Sequence, residues 1–351
     1  MINNNSLDKS TAMIEVKNLT KTFKIIKKEK GLRGTVKSLF KRKVDSVNAV
    51  SNINFTIYRG EIIGYIGANG AGKSTTIKMM SGILTPSEGS IIVDGRVPYL
   101  QRTENAKNIG VVFGQKTQLW WDLPLGETFA ILKEIYQIPD EIYEDQMKYF
   151  DEIFELSAFM QQTVRTLSLG QRMRADLAAS MLHNPKVLYL DEPTIGLDVM
   201  VKERIRKAIK ELNQKYGTTI ILTTHDMSDI EELCHRIIII DKGQLIYDGA
   251  LETIRRDYGY ERTLLFDLRF DDSGLEQINT SISQIYSSIP ESNIANLKVS
   301  LNNQQLKIQF NRNELNISDI MNFVLKSFNV LDFSIKDMDV EAIVKQFDMN
   351  A

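Results

Sequence analysis

Apolar and polar positions alternate over residues 13–23 (MIEVKNLTKTF), the period-two pattern of a half-buried strand. A charged stretch follows, then a second strand-like run from Val50 to Tyr58. Further along, the strand signals change character. Ile62–Ile66, Ile109–Phe113, Val187–Leu190, Thr219–Thr223 and Ile237–Ile240 are short and largely apolar, and most are rich in β-branched residues. Strands buried on both faces of a parallel sheet have this composition. Helical patterns such as residues 199–215 lie between them, and the alternation predicts an α/β core. Between about residues 126 and 166 the strand signal disappears. GETFAILKEIYQ and EIYEDQMKYFDEIFEL read there as helices broken at Pro139, within a helical subdomain spanning about 119–180.

After about residue 258 the pattern changes again. A strand at 262–270, a helix near 274–288, strands near 296–301 and 305–310, a helix near 315–328 and a strand near 329–335 are expected. That order is βαββαβ, the ferredoxin-like pattern, and a last short helix near 339–348 would cap it. The expected organisation is a first domain over residues 1–257 and a C-terminal α+β domain over 258–351.

Composition narrows the class. A chain of 351 residues with 43% hydrophobic and 25% charged residues is long enough for two cores and too apolar for wholesale disorder. Lys plus Arg number 43 and Asp plus Glu 45, a net charge of −2, which argues against a dedicated nucleic-acid binder. Cys234 is the single cysteine, so an intrachain disulfide or a cysteine-rich zinc site is excluded. The longest purely aliphatic run, Ile237–Ile240, is far short of the roughly 20 residues that span a bilayer, and MINNNSLDKS lacks a signal-peptide pattern. The expectation is a soluble, intracellular protein.

The chemistry begins at Gly67-Ala68-Asn69-Gly70-Ala71-Gly72-Lys73-Ser74, followed by Thr75, which matches G-x-x-x-x-G-K-[ST]. The apolar strand Ile62–Ile66 runs in and the helical KSTTIKMMSGIL runs out. In such a loop, glycines let backbone N–H groups turn inward on phosphate oxygens, and the helix adds its positive N-terminal dipole. Lys73 would reach the β- and γ-phosphates and the Ser74 hydroxyl would hold Mg2+. Downstream, Val187-Leu188-Tyr189-Leu190 ends in Asp191 and Glu192. Asp191 would bind Mg2+, and Glu192 would stand beside the attacking water as general base.

A phosphate loop alone leaves kinases, GTPases, helicases and transport ATPases open. Leu167-Ser168-Leu169-Gly170-Gln171, twenty residues before Asp191, resembles the LSGGQ signature of ABC ATPases, with Leu169 at a position usually held by glycine. Gln115 in VVFGQ matches the family's Q-loop, Gly196-Leu197-Asp198 its D-loop, and His225 in TTHD its switch histidine. Phe23 stands where the family has an adenine-stacking aromatic. The resemblance covers roughly residues 13–250 with all motifs in family order.

The resemblance implies an ATP- and Mg2+-dependent ATPase with Glu192, His225 and Gln115 at the chemistry, and Ser74, Asp191 and Gln115 around the metal. It implies that Ser168, Gly170 and Gln171 close over the γ-phosphate held by another subunit, with the Asp198 loop beside them. Read from the residues alone, Ser168 and Gln171 form an S-x-x-Q capping box that starts a helix. Family members work as pairs beneath separately encoded membrane subunits. The stretches GQKTQLWWDLP, LSLGQRMRADLAA and DEPTIGLDV resemble the exporter-type, drug- and polysaccharide-related branch. A soluble ABC ATPase acting as a mechanical or assembly factor is the alternative.

A basic insertion over residues 24–46 supports a place on the inner face of the cell membrane. Lys24 to Lys43 hold nine Lys or Arg and one acid, Glu29, beside an apolar stripe of Leu32, Val36, Leu39 and Phe40. Trp120 and Trp121 are candidates for packing on a membrane subunit.

Overall fold

The computed structural model describes residues 11–26, 44–113, 116–259, 261–269 and 297–337. The chain divides into two compact units, residues 1–250 and 251–351.

The first unit opens with β1 (Ala12–Ile26) and β2 (Val44–Tyr58), followed by β3 (Ile62–Ile66), α1 (Lys73–Met80), β4 (Glu88–Val93), α2 (Arg102–Ala106) and β5 (Ile109–Phe113). A helical stretch comes next: α3 (Leu125–Tyr136), α4 (Asp140–Phe154) and α5 (Leu169–Met181). The core then resumes with β6 (Val187–Asp191), α6 (Val199–Tyr216), β7 (Thr219–Thr223), α7 (Met227–Leu233), β8 (Arg236–Asp241) and β9 (Gln244–Ala250).

A six-stranded sheet has the order β5-β6-β7-β3-β8-β9. Its first five strands are parallel and β9 is antiparallel to β8. All five residues of β7 are buried, as are the last four of β3, which accounts for their continuous apolar runs. A second sheet is antiparallel, in the order β2-β1-β4. Ile14, Leu19, Ile53 and Ile91 from this sheet share one core with Tyr65, Tyr189 and Ile238 from the parallel sheet.

The structure extends the first two strands beyond their expected limits. Lys24, Ile25 and Ile26 pair with Ser46, Asp45 and Val44, so the two ends of the basic insertion are strand. Cross-strand pairing decides these ends, and the local charge pattern does not reveal it. Residues 27–43, with the apolar stripe and most of the basic charge, lie outside the described residues. Pro139 ends the interruption between α3 and α4 and serves as the N-cap of α4, a place where proline is tolerated. Cys234 is buried.

The second unit contains α8 (Leu251–Tyr258), β10 (Glu261–Leu268), β11 (Lys298–Asn302), β12 (Gln305–Asn311), α9 (Ile317–Ser327) and β13 (Val330–Asp337). Its four strands are antiparallel in the order β11-β12-β10-β13. In chain order that places the last strand beside the first, then the third and the second, as in a ferredoxin-like sheet. Leu264, Phe266, Leu306 and Ile308 pack against Ile320 and Val324 of α9. The helices expected at 274–288 and 339–348 fall outside the described residues.

Candidate active site

The phosphate loop leaves the buried strand β3 and enters α1. Gly72 is the N-cap of α1 with φ +108°, and a Cβ there would stand 2.4 Å from the carbonyl oxygen of Ala49. Both the backbone conformation and the space demand glycine. Gly72 has no side chain to cap α1, and a helix N-terminus of this kind is suited to an anion. Gly67, Ala68, Asn69, Gly70 and Ala71 complete the loop. Lys73 is buried, and its Nζ donates to the carbonyl oxygens of Gly67 at 2.6 Å and Ala68 at 3.1 Å. The ammonium is thereby folded back over the loop it follows. Thr75 continues α1 behind Ser74.

Parallel pairing then assembles the acidic side. Asp191 closes β6 and is in register with Phe113 of β5 and Thr223 of β7. Ser74 Oγ donates to Asp191 Oδ2 at 3.1 Å, and Thr223 Oγ1 donates to Asp191 Oδ1 at 2.5 Å. Both carboxylate oxygens are thus fixed by hydroxyls. The next residue, Glu192, has φ +57°, a left-handed conformation rare for a side chain of this kind. Its N–H donates to the carbonyl oxygen of Thr223 at 2.9 Å, and its Oε1 lies 2.9 Å from His225 Nε2. Ser74, Lys78, Phe113, Lys116, Asp191 and Glu192 line a cavity of about 390 Å3.

The residues fit Mg2+. Among the described residues no group of three or more His, Cys, Asp or Glu could hold a metal. One hydroxyl and one carboxylate meet at the cavity instead, the hard oxygen donors of a cation whose other ligands come from phosphate and water.

Six other expected site positions lie apart from this cavity or escape description. Phe23 is partly exposed on β1, pairs across with Val47 of β2, and carries Lys21 Nζ at 5.3 Å from its ring centroid. Gln115 lies outside the described residues. Ser168 is the N-cap of α5 in the expected capping box: its Oγ accepts from Gln171 N–H at 3.2 Å, and its own N–H donates to Gln171 Oε1 at 2.9 Å. Gly170 sits in the first turn, with side-chain atoms of Val201 3.4 Å from where its Cβ would be. Asp198 caps α6 by accepting from Val201 N–H at 3.0 Å. None of the signature residues lines the cavity around Ser74 and Asp191.

Sequence reasoning missed the groups that hold the loop of His225. Asp229 is fully buried on α7 and accepts from Arg206 Nε at 2.6 Å, from Thr224 Oγ1 at 3.1 Å and from the Thr194 hydroxyl. Lys202 Nζ lies 2.5 Å from Asp226 Oδ2. Burial works to raise the Asp226 pKa, but hydrogen bonds from Lys202 and Ser228 outweigh it and hold the carboxyl at about 2. His225 thus stands between two anchored neighbours, Thr224 and Asp226. The polar residues of TTHD, at the end of the buried strand β7, were the available signal.

Comparison with known proteins agrees with this geometry. Residues 50–195 match the ABC transporter family. The chain is 33% identical over 215 residues to the ABC transporter ATP-binding protein NatA of Bacillus subtilis, covering 61% of this chain and 87% of that one. It is 31% identical over 266 residues to the methionine import ATP-binding protein MetN of Geobacillus kaustophilus, 75% of this chain and 77% of that one. Among solved structures, a dimeric ATP-binding cassette in a post-hydrolysis state bound to ADP and Pi superposes with a TM-score of 0.57 at 27% identity, over 68% of this chain and 99% of that one. The ATP-binding subunit of an ABC transporter superposes with a TM-score of 0.59 at 24% identity, over 70% of this chain and 93% of that one, which speaks to the fold. With its phosphate loop, its Asp191–Glu192 pair and this kinship, the chain belongs to the ATP-binding proteins of ABC transporters, ATPases that convert ATP and water to ADP and phosphate.

Proposed function

We propose that this ATPase powers an exporter by closing in pairs beneath separately encoded membrane subunits. The observation that carries the catalytic part is the contact of Glu192 Oε1 with His225 Nε2 at 2.9 Å, one residue beyond the Asp191–Ser74 pair. In this reading Phe23 stacks on adenine, and residues 67–75 wrap the phosphates. Lys73 swings from the carbonyls of Gly67 and Ala68 to the β- and γ-phosphates. Ser74, Asp191 and Gln115 hold Mg2+, which when bound neutralises phosphate charge. Glu192 takes the proton of the attacking water, and His225 keeps the carboxylate and that water oriented. Ser168, Gly170 and Gln171 of a second copy or a homologous subunit close on the γ-phosphate at the N-terminus of α5, with the Asp198 loop alongside.

Residues 1–257 form the nucleotide-binding domain in this reading and 258–351 an accessory domain. Among the described residues no helix is long and apolar enough to cross a membrane. In this reading the protein meets the bilayer peripherally, on its cytoplasmic face. Trp120 and Trp121, both exposed, and the basic segment from Lys24 to Lys43 in the sequence are proposed to meet the membrane subunits and anionic lipid.

Export is favoured by the resemblance of residues 114–124, 167–179 and 191–199 to the drug- and polysaccharide-related branch. The relatives' names point both ways, one to methionine import and another to a probable multidrug transporter of Escherichia coli. The test is co-purification of the full chain with integral membrane subunits, followed by ATP-dependent uptake into inverted membrane vesicles. Uptake into inverted vesicles is the expected result. Transport only in right-side-out vesicles would make the protein part of an importer. Absence of any membrane partner would favour the mechanical-factor alternative.

A further inference from the structure

Asp176 sits in the middle of α5, buried, with only 5% of its surface exposed. Among the described residues no Lys or Arg forms a salt bridge with it. Burial lifts its pKa to about 6, against the hydrogen bonds of Thr117 and Gln118 and the nearby charge of Arg172. Burying a carboxylate without an ion-pair partner costs stability, so the residue calls for a reason.

The reason lies in what the carboxylate holds. Its Oδ1 accepts from Thr117 Oγ1 at 2.9 Å and from the backbone N–H of Gln118 at 3.1 Å. Gln118 Nε2 returns a bond to the backbone oxygen of Asp176 at 3.0 Å, and Thr117 Oγ1 also accepts from Leu119 N–H at 3.1 Å. Three hydrogen bonds therefore bind two consecutive loop residues to one residue of the helix. The loop is short. Lys116, immediately before Thr117, lines the nucleotide cavity, and its N–H donates to the carbonyl oxygen of Phe113 at 2.8 Å. Phe113 in turn is in register with Asp191. At the other end, Asp176 lies two turns along the helix that Ser168 and Gln171 begin.

We propose that Asp176 is a positioning residue for ATP hydrolysis: by clamping Thr117 and Gln118 it makes the cavity-lining loop and the signature helix move as one piece. A shift of α5 on engagement with a partner is then transmitted to the cavity wall within three residues. The inference rests on the reading of that cavity as the nucleotide site. It adds a mechanical link between the site and the signature of the same chain, which a hydroxyl or an apolar residue at position 176 would not supply.

The test compares full-length variants for ATP turnover, KM for ATP and thermal midpoint. Asp176→Ala is expected to lower kcat by at least about tenfold while KM for ATP stays within about twofold, because misplacement away from the reacting atoms acts on rate. Asp176→Asn keeps the acceptor oxygen and should recover most of the rate. Thr117→Val removes one of the three bonds with little change in volume. It should lower kcat several-fold, and adding it to Asp176→Ala should cost little more, since both cut the same link. Glu192→Gln is the control for the underlying reading. If Glu192→Gln is dead while Asp176→Ala and Thr117→Val turn over at the wild-type rate, the clamp is overturned and the site stands. If Asp176→Asn loses as much rate as Asp176→Ala, the hydrogen bonds are not what matters and the proposal also fails. If Glu192→Gln retains turnover, the reading of the cavity falls first.

Discussion

The phosphate-loop side and the signature side of this chain are held together in opposite ways. On the first side, the described reactive groups already have a place: Lys73 is buried over its own loop, Asp191 is gripped by Ser74 and Thr223, and Glu192 touches His225. On the second side, Ser168 and Leu169 are exposed, and Ser168 and Gln171 bond chiefly to each other. The first side is ready to receive a nucleotide. The second is a finished helix start with nothing yet to cap. In the reading proposed above, this half-site gains its second wall by association with a second copy or a homologous subunit.

Glu192→Gln should break the difference most strongly. Loss of the base is expected to cut phosphate release by a factor of about a hundred to ten thousand, while nucleotide binding measured directly stays near wild type. Turnover close to wild type would remove Glu192 from the chemistry. Lys73→Ala acts on the same side but on binding. Loss of a charged donor to phosphate should weaken ATP affinity by roughly ten- to a hundredfold, read by equilibrium titration with a fluorescent ATP analogue.

The far end of the signature helix offers a pH test. His183 follows α5, stacks on Tyr136 at 3.9 Å between centroids, and bonds through Nε2 to the carbonyl oxygen of Ile109 at 2.9 Å. Burial pushes its pKa down to about 4, against that hydrogen bond, so the fold holds the ring neutral. The unfolded chain gains a proton near pH 6.5, so this contribution is complete above that pH and is lost as pH falls toward 4. Unfolding free energy should therefore drop by about 2 kcal/mol from roughly pH 7 to pH 5 on account of His183. Asp176, raised to about 6 by burial, opposes it in the lower part of that range, so the informative quantity is wild type minus His183→Gln. Equal pH slopes in the two proteins would remove His183 as the cause.

Ser168→Ala gives the smallest effect and sharpens the comparison most. Loss of the cap should cost about 1 kcal/mol of stability. ATP binding by the isolated subunit should be unchanged, and ATP-driven dimerisation, followed by size-exclusion chromatography in the Glu192→Gln background, should weaken. Reduced ATP affinity in the monomer would show that Ser168 already belongs to the first side.

What could be read in advance follows the same division. Gly67 to Thr75 were legible because the loop's chemistry is contiguous: the glycines, the lysine and the hydroxyl must follow one another. The buried strands were legible because β6, β7 and β8 are apolar on both faces. Thr223 was not legible as a partner of Asp191, because strand order in the sheet, β5-β6-β7-β3, decides which strand ends meet. Asp176 was hidden for another reason. A single acid within QRMRADLAASML reads as part of a solvated helix face, and only the fold of the preceding loop brings Thr117 and Gln118 onto it. Asp229 was hidden in the same way until Arg206 and Thr224 converged on it.

The left-handed backbone of Glu192 has a consequence for selection. Glycine adopts φ near +57° without strain, whereas a side chain there costs on the order of 1 kcal/mol. In the proposed role of Glu192, relief of this strain by glycine, set against glycine's greater unfolded-state entropy, would come with loss of ATP hydrolysis. In the proposed mechanism, an acid kept at this strained turn marks a chain that hydrolyses ATP. Among homologous chains, those with glycine here are the ones to examine for roles that need nucleotide binding but not its consumption.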